Sequence, residues 1–440
     1  MKFVSTRGPS SLDAGPAVSF GAALAQGLAP DGGLYMPETW PVIPLSDFEG
    51  ASSLTEVAEI MLRPLVAGDP VAADIGNIVR DAFNFPAPLV PVADGGKLSV
   101  LELFHGPTAA FKDFGARFLA ASLARIRQGV DGKPLNILVA TSGDTGGAVA
   151  AAFHQRPGVV VSVLFPKGLV SPTQERQLTC WGDNVLSYRV NGTFDDCQRL
   201  VKQAFVDPDL RKRFELSSAN SINLGRLLPQ AVYYAATSLA VHREHGVAPN
   251  FLIPSGNLGN SVACVWARKL GLPIGRIVLA HNANRAVPDF LESGEWRPRA
   301  SIPTLASAMD VGSPSNMERL RALFPDIAGV RGAIRAESVS DDEIRTRITS
   351  DFDRYGKTWC PHTATAAEVH ARMPDSERAG ARWVLVSTAH PAKFREIVEP
   401  LIGRRIEMPE SLAKLFSRPV SCADLEPSLD ALTGALGNRE

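Results

Sequence analysis

The chain has 440 residues, more than one hydrophobic core usually supports, so two or three subdomains are expected. With 45% hydrophobic and 21% charged residues it has the composition of an ordinary globular protein. Its net charge of −1 gives no reason to expect a nucleic-acid or anionic-membrane partner. No apolar stretch reaches the roughly 20 residues of a membrane span. The opening run Met1-Lys2-Phe3-Val4-Ser5-Thr6-Arg7-Gly8-Pro9 lacks the apolar core of a secretion signal, so a cytoplasmic location is expected. Five widely spaced cysteines (Cys180, Cys197, Cys264, Cys360 and Cys422) read as reduced thiols. Eight histidines without HExxH-type spacing suggest no metal site.

Residues 1–95 carry helical stretches at 20–28, 54–65 and 71–83, broken by Pro- and Gly-bearing turns, and read as an N-terminal domain. A strand over 99–104 leads to Lys112. Beyond it Phe114, Phe118, Leu119, Ser122, Leu123 and Ile126 give a mostly apolar face at helical spacing. Strands at 135–140, 159–165 and 185–190 alternate with helices near 148–154, 172–180 and 195–206. A second set of strands falls at 251–253, 276–280 and 383–388. Their Val, Ile and Leu runs lack polar alternation, as in parallel strands buried on both faces. Pro166-Lys167-Gly168 and Ser217-Ser218-Ala219-Asn220 read as turns or linkers. The tail after 408 has little periodicity and reads as a packed terminal helix with a frayed end.

Three segments carry chemistry. Leu103-Phe104-His105-Gly106-Pro107-Thr108-Ala109-Ala110-Phe111-Lys112-Asp113-Phe114 delivers one lysine among aromatic and methyl groups. Lost hydration there favours the neutral amine that a Schiff base requires; a lysine snorkelling from a helix start is the plainer alternative. Pro254-Ser255-Gly256-Asn257-Leu258-Gly259-Asn260 joins an apolar run to a helical pattern, an order that suits a phosphate. Ordinary strand-to-helix turns look the same. The three-glycine dinucleotide pattern is absent, and Gly356-Lys357-Thr358 fails as a triphosphate loop because Asp351 replaces its first glycine. Thr141-Ser142-Gly143-Asp144-Thr145-Gly146-Gly147 repeats the strand–loop–helix order. It offers donors for a substrate carboxylate, or else a helix capped by Asp144 or Thr145.

These segments resemble the threonine synthase family. Further matches are Ser5-Thr6-Arg7-Gly8, Gly27-Leu28-Ala29-Pro30-Asp31-Gly32-Gly33-Leu34-Tyr35-Met36-Pro37-Glu38 and Ser387-Thr388-Ala389-His390-Pro391-Ala392-Lys393-Phe394. All run in family order across nearly the whole chain. The resemblance implies a tryptophan-synthase-β-like α/β fold (fold type II), with two α/β domains flanking a cleft plus an N-terminal domain. The divisions would be 1–95, a small domain at 115–215, and a large cofactor domain from 96–114 and 216–440. It implies a Schiff base between Lys112 and pyridoxal 5'-phosphate, whose phosphate is held by Ser255, Gly256, Asn257, Leu258 and Gly259. Thr388 would face the pyridine nitrogen. Ser142, Asp144 and Thr145 would meet the substrate and the cofactor O3′, although many fold relatives carry asparagine where Asp144 stands. A leaving phosphate needs cationic donors, for which Arg176 and then Lys357 are the candidates. The implied reaction converts O-phospho-L-homoserine and water to L-threonine and phosphate in a monomer or homodimer. A phospho-lyase releasing 2-oxobutyrate, ammonia and phosphate is the alternative, and a catalytically idle cofactor-binding protein is a third reading.

Overall fold

Thirteen strands form three sheets in the computed structural model, which describes residues 1–8, 15–93, 96–128, 132–141 and 143–437. Ser142 therefore lies outside the described residues. In chain order the strands are β1 (Phe3–Ser5), β2 (Tyr35–Pro37), β3 (Leu89–Pro91), β4 (Leu98–Glu102), β5 (Leu135–Ala140), β6 (Val159–Pro166) and β7 (Val185–Val190). They continue with β8 (Glu215–Ser218), β9 (Asn250–Pro254), β10 (Ile277–His281), β11 (Arg335–Ser338), β12 (Trp383–Ser387) and β13 (Ala423–Leu425).

The larger sheet has the order β11-β10-β9-β12-β4-β3, parallel except where β3 meets β4. The second, β13-β7-β6-β5-β8, is parallel throughout. β5, β9, β10 and β12 are buried at every residue, as expected of apolar strands covered by helices on both faces. A small antiparallel pair, β1 with β2, belongs to the N-terminal region.

Local chemistry sets the element ends. The first helix stops at Gln26 because Gly27 takes φ 74° as its cap. The second stops at Leu62, one residue before a 3₁₀ turn containing Pro64. The third begins only at Ile75, after a 3₁₀ turn opened by Pro70. These N-terminal elements bury their aromatic residues against the Lys112–Ile126 helix, where the Phe85 and Phe114 rings lie 4.5 Å apart and Phe20 meets Phe118 edge-on at 6.3 Å.

Two expectations fail. Ser217-Ser218-Ala219-Asn220 does not begin as a turn, because Ser217 and Ser218 end β8. The Ser217 hydroxyl, fully buried, donates to the Ala25 carbonyl at 2.8 Å. The tail is not one helix. It runs from helix Glu410–Phe416 through β13, which pairs with β7, to helix Leu429–Gly437. Leu432 and Leu436 on that last helix are buried in one apolar cluster with Leu200 and Val201.

Candidate active site

The level of three neighbouring strand ends determines what meets in the cleft. β12 lies between β9 and β4, with Leu385 level with Leu252 and Ser387 level with Glu102. All three are parallel, so the loops after β9, β12 and β4 leave the same edge, about 10 Å across from first to third. Those loops carry residues 255–259, Thr388 and Lys112 respectively.

The loop before Lys112 is held by its own residues. Asp113 accepts from the Thr108 amide at 2.8 Å and the Thr108 hydroxyl at 2.6 Å. A Cβ on Gly106 would stand 2.5 Å from the Asp113 carboxylate, so the close turn requires glycine. The Phe111 amide then donates to the Thr388 carbonyl at 2.9 Å, and the His390 amide to Ala109 at 3.0 Å. This clamp seats Lys112 as the first residue of its helix, with a side chain only 16% exposed and its Nζ 5.6 Å from the Phe111 ring centre. Burial lowers its pKa from 10.5 to about 8, with Lys393 and Arg226 adding to the effect and Asp144 opposing it. About a tenth of the amine is thus neutral at pH 7, far more than for an ordinary lysine.

At the loop after β5, Thr141 does the capping. Its hydroxyl accepts from the Gly143 amide at 3.0 Å and the Gly146 amide at 2.9 Å. The alternative of a cap by Asp144 or Thr145 is therefore wrong: the helix Asp144–Phe153 starts after Gly143 with no side-chain cap on either. Asp144 turns inward instead. Its Oδ1 lies 2.7 Å from the Lys393 Nζ and accepts from the Gln174 amide at 3.2 Å, while Oδ2 lies 3.8 Å from the Lys112 Nζ. Burial alone would raise its pKa, but the Lys393 and Lys112 cations outweigh it and keep the carboxylate ionised. Thr145 is half-buried and its hydroxyl has no hydrogen-bond partner among the described residues.

After β9 the chain enters the helix Gly259–Lys269 through Leu258, at φ 62° and without a side-chain cap. Its first-turn amides are available to an anion. The Ser255 amide is not: it donates to Ala280 at 2.9 Å, while the Ser255 hydroxyl donates to Ile253 and meets the Ser261 hydroxyl. A Cβ on Gly256 would approach the Met309 Cα to 2.8 Å. Asn257 holds the loop from outside, donating to the Ser221 hydroxyl at 2.7 Å and accepting from the Ser315 amide. The Thr388 hydroxyl, 5% exposed, has no partner among the described residues.

Of the two cations expected for a leaving phosphate, Arg176 is turned elsewhere. Its guanidinium donates to the tail carbonyls of Phe416, at 2.7 Å, and Arg418. Lys357 is half-buried just beyond the helix Asp341–Tyr355 and makes no ion pair among the described residues.

Sequence reasoning missed several contributors. Lys393, wholly buried, donates to the Thr108 carbonyl at 3.0 Å besides pairing with Asp144. It carried the same signal as Lys112, a lysine among Ala and Phe in Pro391-Ala392-Lys393-Phe394. His362 accepts from the Ala308 amide at 3.2 Å, and burial lowers its pKa to about 4, so it is neutral at pH 7. Asn316 donates to the Asn257 carbonyl at 3.0 Å, and Arg319 donates to Asn316, to Ile222 and to Tyr35 in β2. Nothing local in the sequence pointed to that brace.

An amine of lowered proton affinity, an uncapped helix start and a hydroxyl unpartnered among the described residues, all at one sheet edge, fit the aldehyde, phosphate and ring nitrogen of pyridoxal phosphate. Fold and site define a pyridoxal-phosphate-dependent enzyme of the tryptophan-synthase-β-like type. The family described as pyridoxal-phosphate dependent enzymes matches residues 83–389. Threonine synthase N-terminal and C-terminal families match 2–83 and 363–435. Threonine synthase of Haemophilus influenzae is 40% identical over 93% of this chain and 94% of that protein, and that of Escherichia coli 39% over 96% and 97%. The crystal structure of the Escherichia coli enzyme superposes with TM-score 0.87 at 36% identity, covering both chains fully. The pyridoxal-phosphate-bound enzyme of Brucella melitensis gives 0.89, also at 36%, covering 99% of this chain and 98% of that one. The chain belongs to the threonine synthase family. Its cofactor is pyridoxal phosphate, and the alternative of an idle binding protein falls away.

Proposed function

We propose that the chain converts O-phospho-L-homoserine and water to L-threonine and phosphate, acting in the cytoplasm as a monomer or homodimer. The observation that carries this reading is Lys112, an amine of lowered proton affinity at the sheet edge shared with an uncapped helix start. The net change breaks the C–O bond to phosphate at Cγ and places a hydroxyl at Cβ, which requires proton removal and return at several carbons. When bound, pyridoxal phosphate supplies the electron sink that makes those protons removable.

The chain's own residues do the rest. Lys112 Nζ, whose proton affinity burial brings within about one unit of neutral pH, takes protons from the substrate carbons and returns them. Asp144 Oδ2 stands 3.8 Å away and stabilises the ammonium whenever Lys112 holds a proton. Gly256, Asn257, Leu258 and Gly259 hold the cofactor phosphate, mostly by backbone N–H groups, with Ser255 shaping the turn through its side chain. Thr388 offers the ring nitrogen a neutral hydroxyl, which does not favour a charged ring as a carboxylate would. Ser142 and Thr145 meet the substrate carboxylate. Lys357, which makes no ion pair among the described residues, is assigned to the substrate phosphate in preference to Arg176, whose Nη2 serves the tail.

We divide the chain accordingly into residues 1–95, a small domain around 115–215 and a large domain from 96–114 and 216–440, with β8 and β13 added to the small domain's sheet. Incubation with O-phospho-L-homoserine tests the reading when phosphate and the organic product are both measured. Threonine and phosphate in equal amounts are expected. Release of 2-oxobutyrate and ammonia would move the assignment to the lyase, and no phosphate at all from cofactor-loaded protein would reject both.

A further inference from the structure

The carboxylate of Asp144 is divided between two duties. Oδ1 is saturated by Lys393 at 2.7 Å and Gln174 at 3.2 Å, which leaves Oδ2 to face Lys112. Lys393 is fully buried, and its second bond goes to Thr108, on the loop that delivers Lys112. Asp144 follows β5 of the five-stranded sheet, whereas Lys393, Thr108 and Lys112 all hang from the six-stranded one. The ion pair therefore joins both sides of the cleft at the cofactor-bearing amine.

We propose that Lys393 is a positioning residue: by anchoring one oxygen of Asp144 in a buried ion pair, it fixes the direction and charge of the carboxylate that faces Lys112. Lys393 touches neither substrate nor cofactor in this role. A buried carboxylate without such a partner would swing, or take up a proton.

The neighbouring charges give the proposal a sign. Asp144 is faced by Lys393, Lys112, His362 and the Cys360 thiol, and Lys112 by Asp144, Lys393, Arg226 and His362; Asp113 stands near both Lys393 and Arg226. Asp144 helps Lys112 keep its proton, and it acts on Lys112 more strongly than Lys393 does. Removing Lys393 as a mere cation would let Lys112 hold its proton more tightly; removing it as the anchor of Asp144 takes the anion's support away as well, and Lys112 then gives up its proton more easily. Only the second outcome has the direction of removing Asp144 itself.

The test uses the full chain freed of cofactor and refilled with pyridoxal phosphate, with capture followed by absorbance as a function of pH. Only the neutral amine condenses with the aldehyde, releasing water, so the pH at half-maximal rate reports the Lys112 proton. The unaltered chain should show a midpoint near 8. Asp144→Asn should lower it by about one unit, and Lys393→Met should lower it by less, because the lost cation offsets part of the lost anion. Lys393→Arg, which keeps the charge, should stay near the unaltered value. An unmoved or raised midpoint in Lys393→Met overturns the proposal. If Lys393→Met does not fold, Lys393→Gln, which keeps a hydrogen-bond donor but not the charge, is read in the same way. The inference rests on Lys112 as the cofactor-bearing amine and not on the substrate's identity. Undiminished capture by Lys112→Ala would sink that assignment, whereas unmoved midpoints in the Lys393 variants would sink only this one.

Discussion

At neutral pH Lys112 already spends part of its time as a free base, because it is buried with Lys393 and Arg226 nearby and Asp144 only partly restores its proton affinity. That lysine was legible because the groups that dry it, Ala110, Phe111 and Phe114, are its neighbours in the chain as well as in space. Lys393 was not, because its meaning depends on Asp144, which belongs to another sheet. The tail carbonyls that Arg176 Nη2 reaches were likewise not legible, since they lie more than two hundred residues along the chain. Lys357 is the cation proposed for the substrate phosphate. A charge-assisted hydrogen bond contributes about 1.5–3 kcal/mol. Lys357→Ala should therefore raise KM for the phosphorylated substrate by about tenfold or more, while the cofactor's absorbance stays as it was. An unchanged KM would remove Lys357 from the site.

Among the elements, the loop before the Gly259–Lys269 helix is closely constrained by packing. A methyl group on Gly256 would press on the Met309 backbone at 2.8 Å, and backbone cannot rotate away as a side-chain tip can. Overpacking of this kind costs about 1–3 kcal/mol. Gly256→Ala should lower the melting temperature and weaken pyridoxal phosphate binding by about tenfold, read by titrating cofactor into the emptied chain. Normal affinity in that variant would mean that the loop does not hold the phosphate. Strands were legible wherever Val, Ile and Leu ran together, as in β5, β6, β7 and β12. The six that were missed all lie at sheet edges: β8 and β13 of one sheet, β3 and β11 of the other, and both members of the β1–β2 pair. An edge strand is covered on fewer sides and so can be built from Ser217 and Ser218, or from Ala423 and Asp424, without an apolar run to betray it.

Over the whole molecule, histidines set the response to acid. Burial holds His281 down to about 3 and His362, His370 and His390 to about 4, against about 6.5 in the unfolded chain. The unfolded state therefore binds these protons first. Stability they leave intact above pH 6.5 is lost as pH falls from there towards 4, on the order of 2–3 kcal/mol for each group. Asp310 works the other way. Burial raises it to about 6, so the folded state gains a proton between 6 and 3.8 and offsets part of one histidine's loss. The carboxylate of Asp144, held low, yields only below that window. Urea midpoints of the cofactor-free chain should be flat from pH 8 to 7 and drop steeply between 6.5 and 4.5. A constant midpoint across that lower range would contradict the burial of these rings.

The grip of Arg176 on the carbonyls of Phe416 and Arg418 has an effect some distance away. Arg176 shares a short helix with Gln174, which touches Asp144. The Ser421 amide is fastened to the same helix at Thr179, and Arg418 rests on the Trp181 ring just past its end. The segment 416–421 and the acid beside the reactive amine therefore share one helix as their support. A label meant to be silent is better hung from an exposed loop than from the last residues.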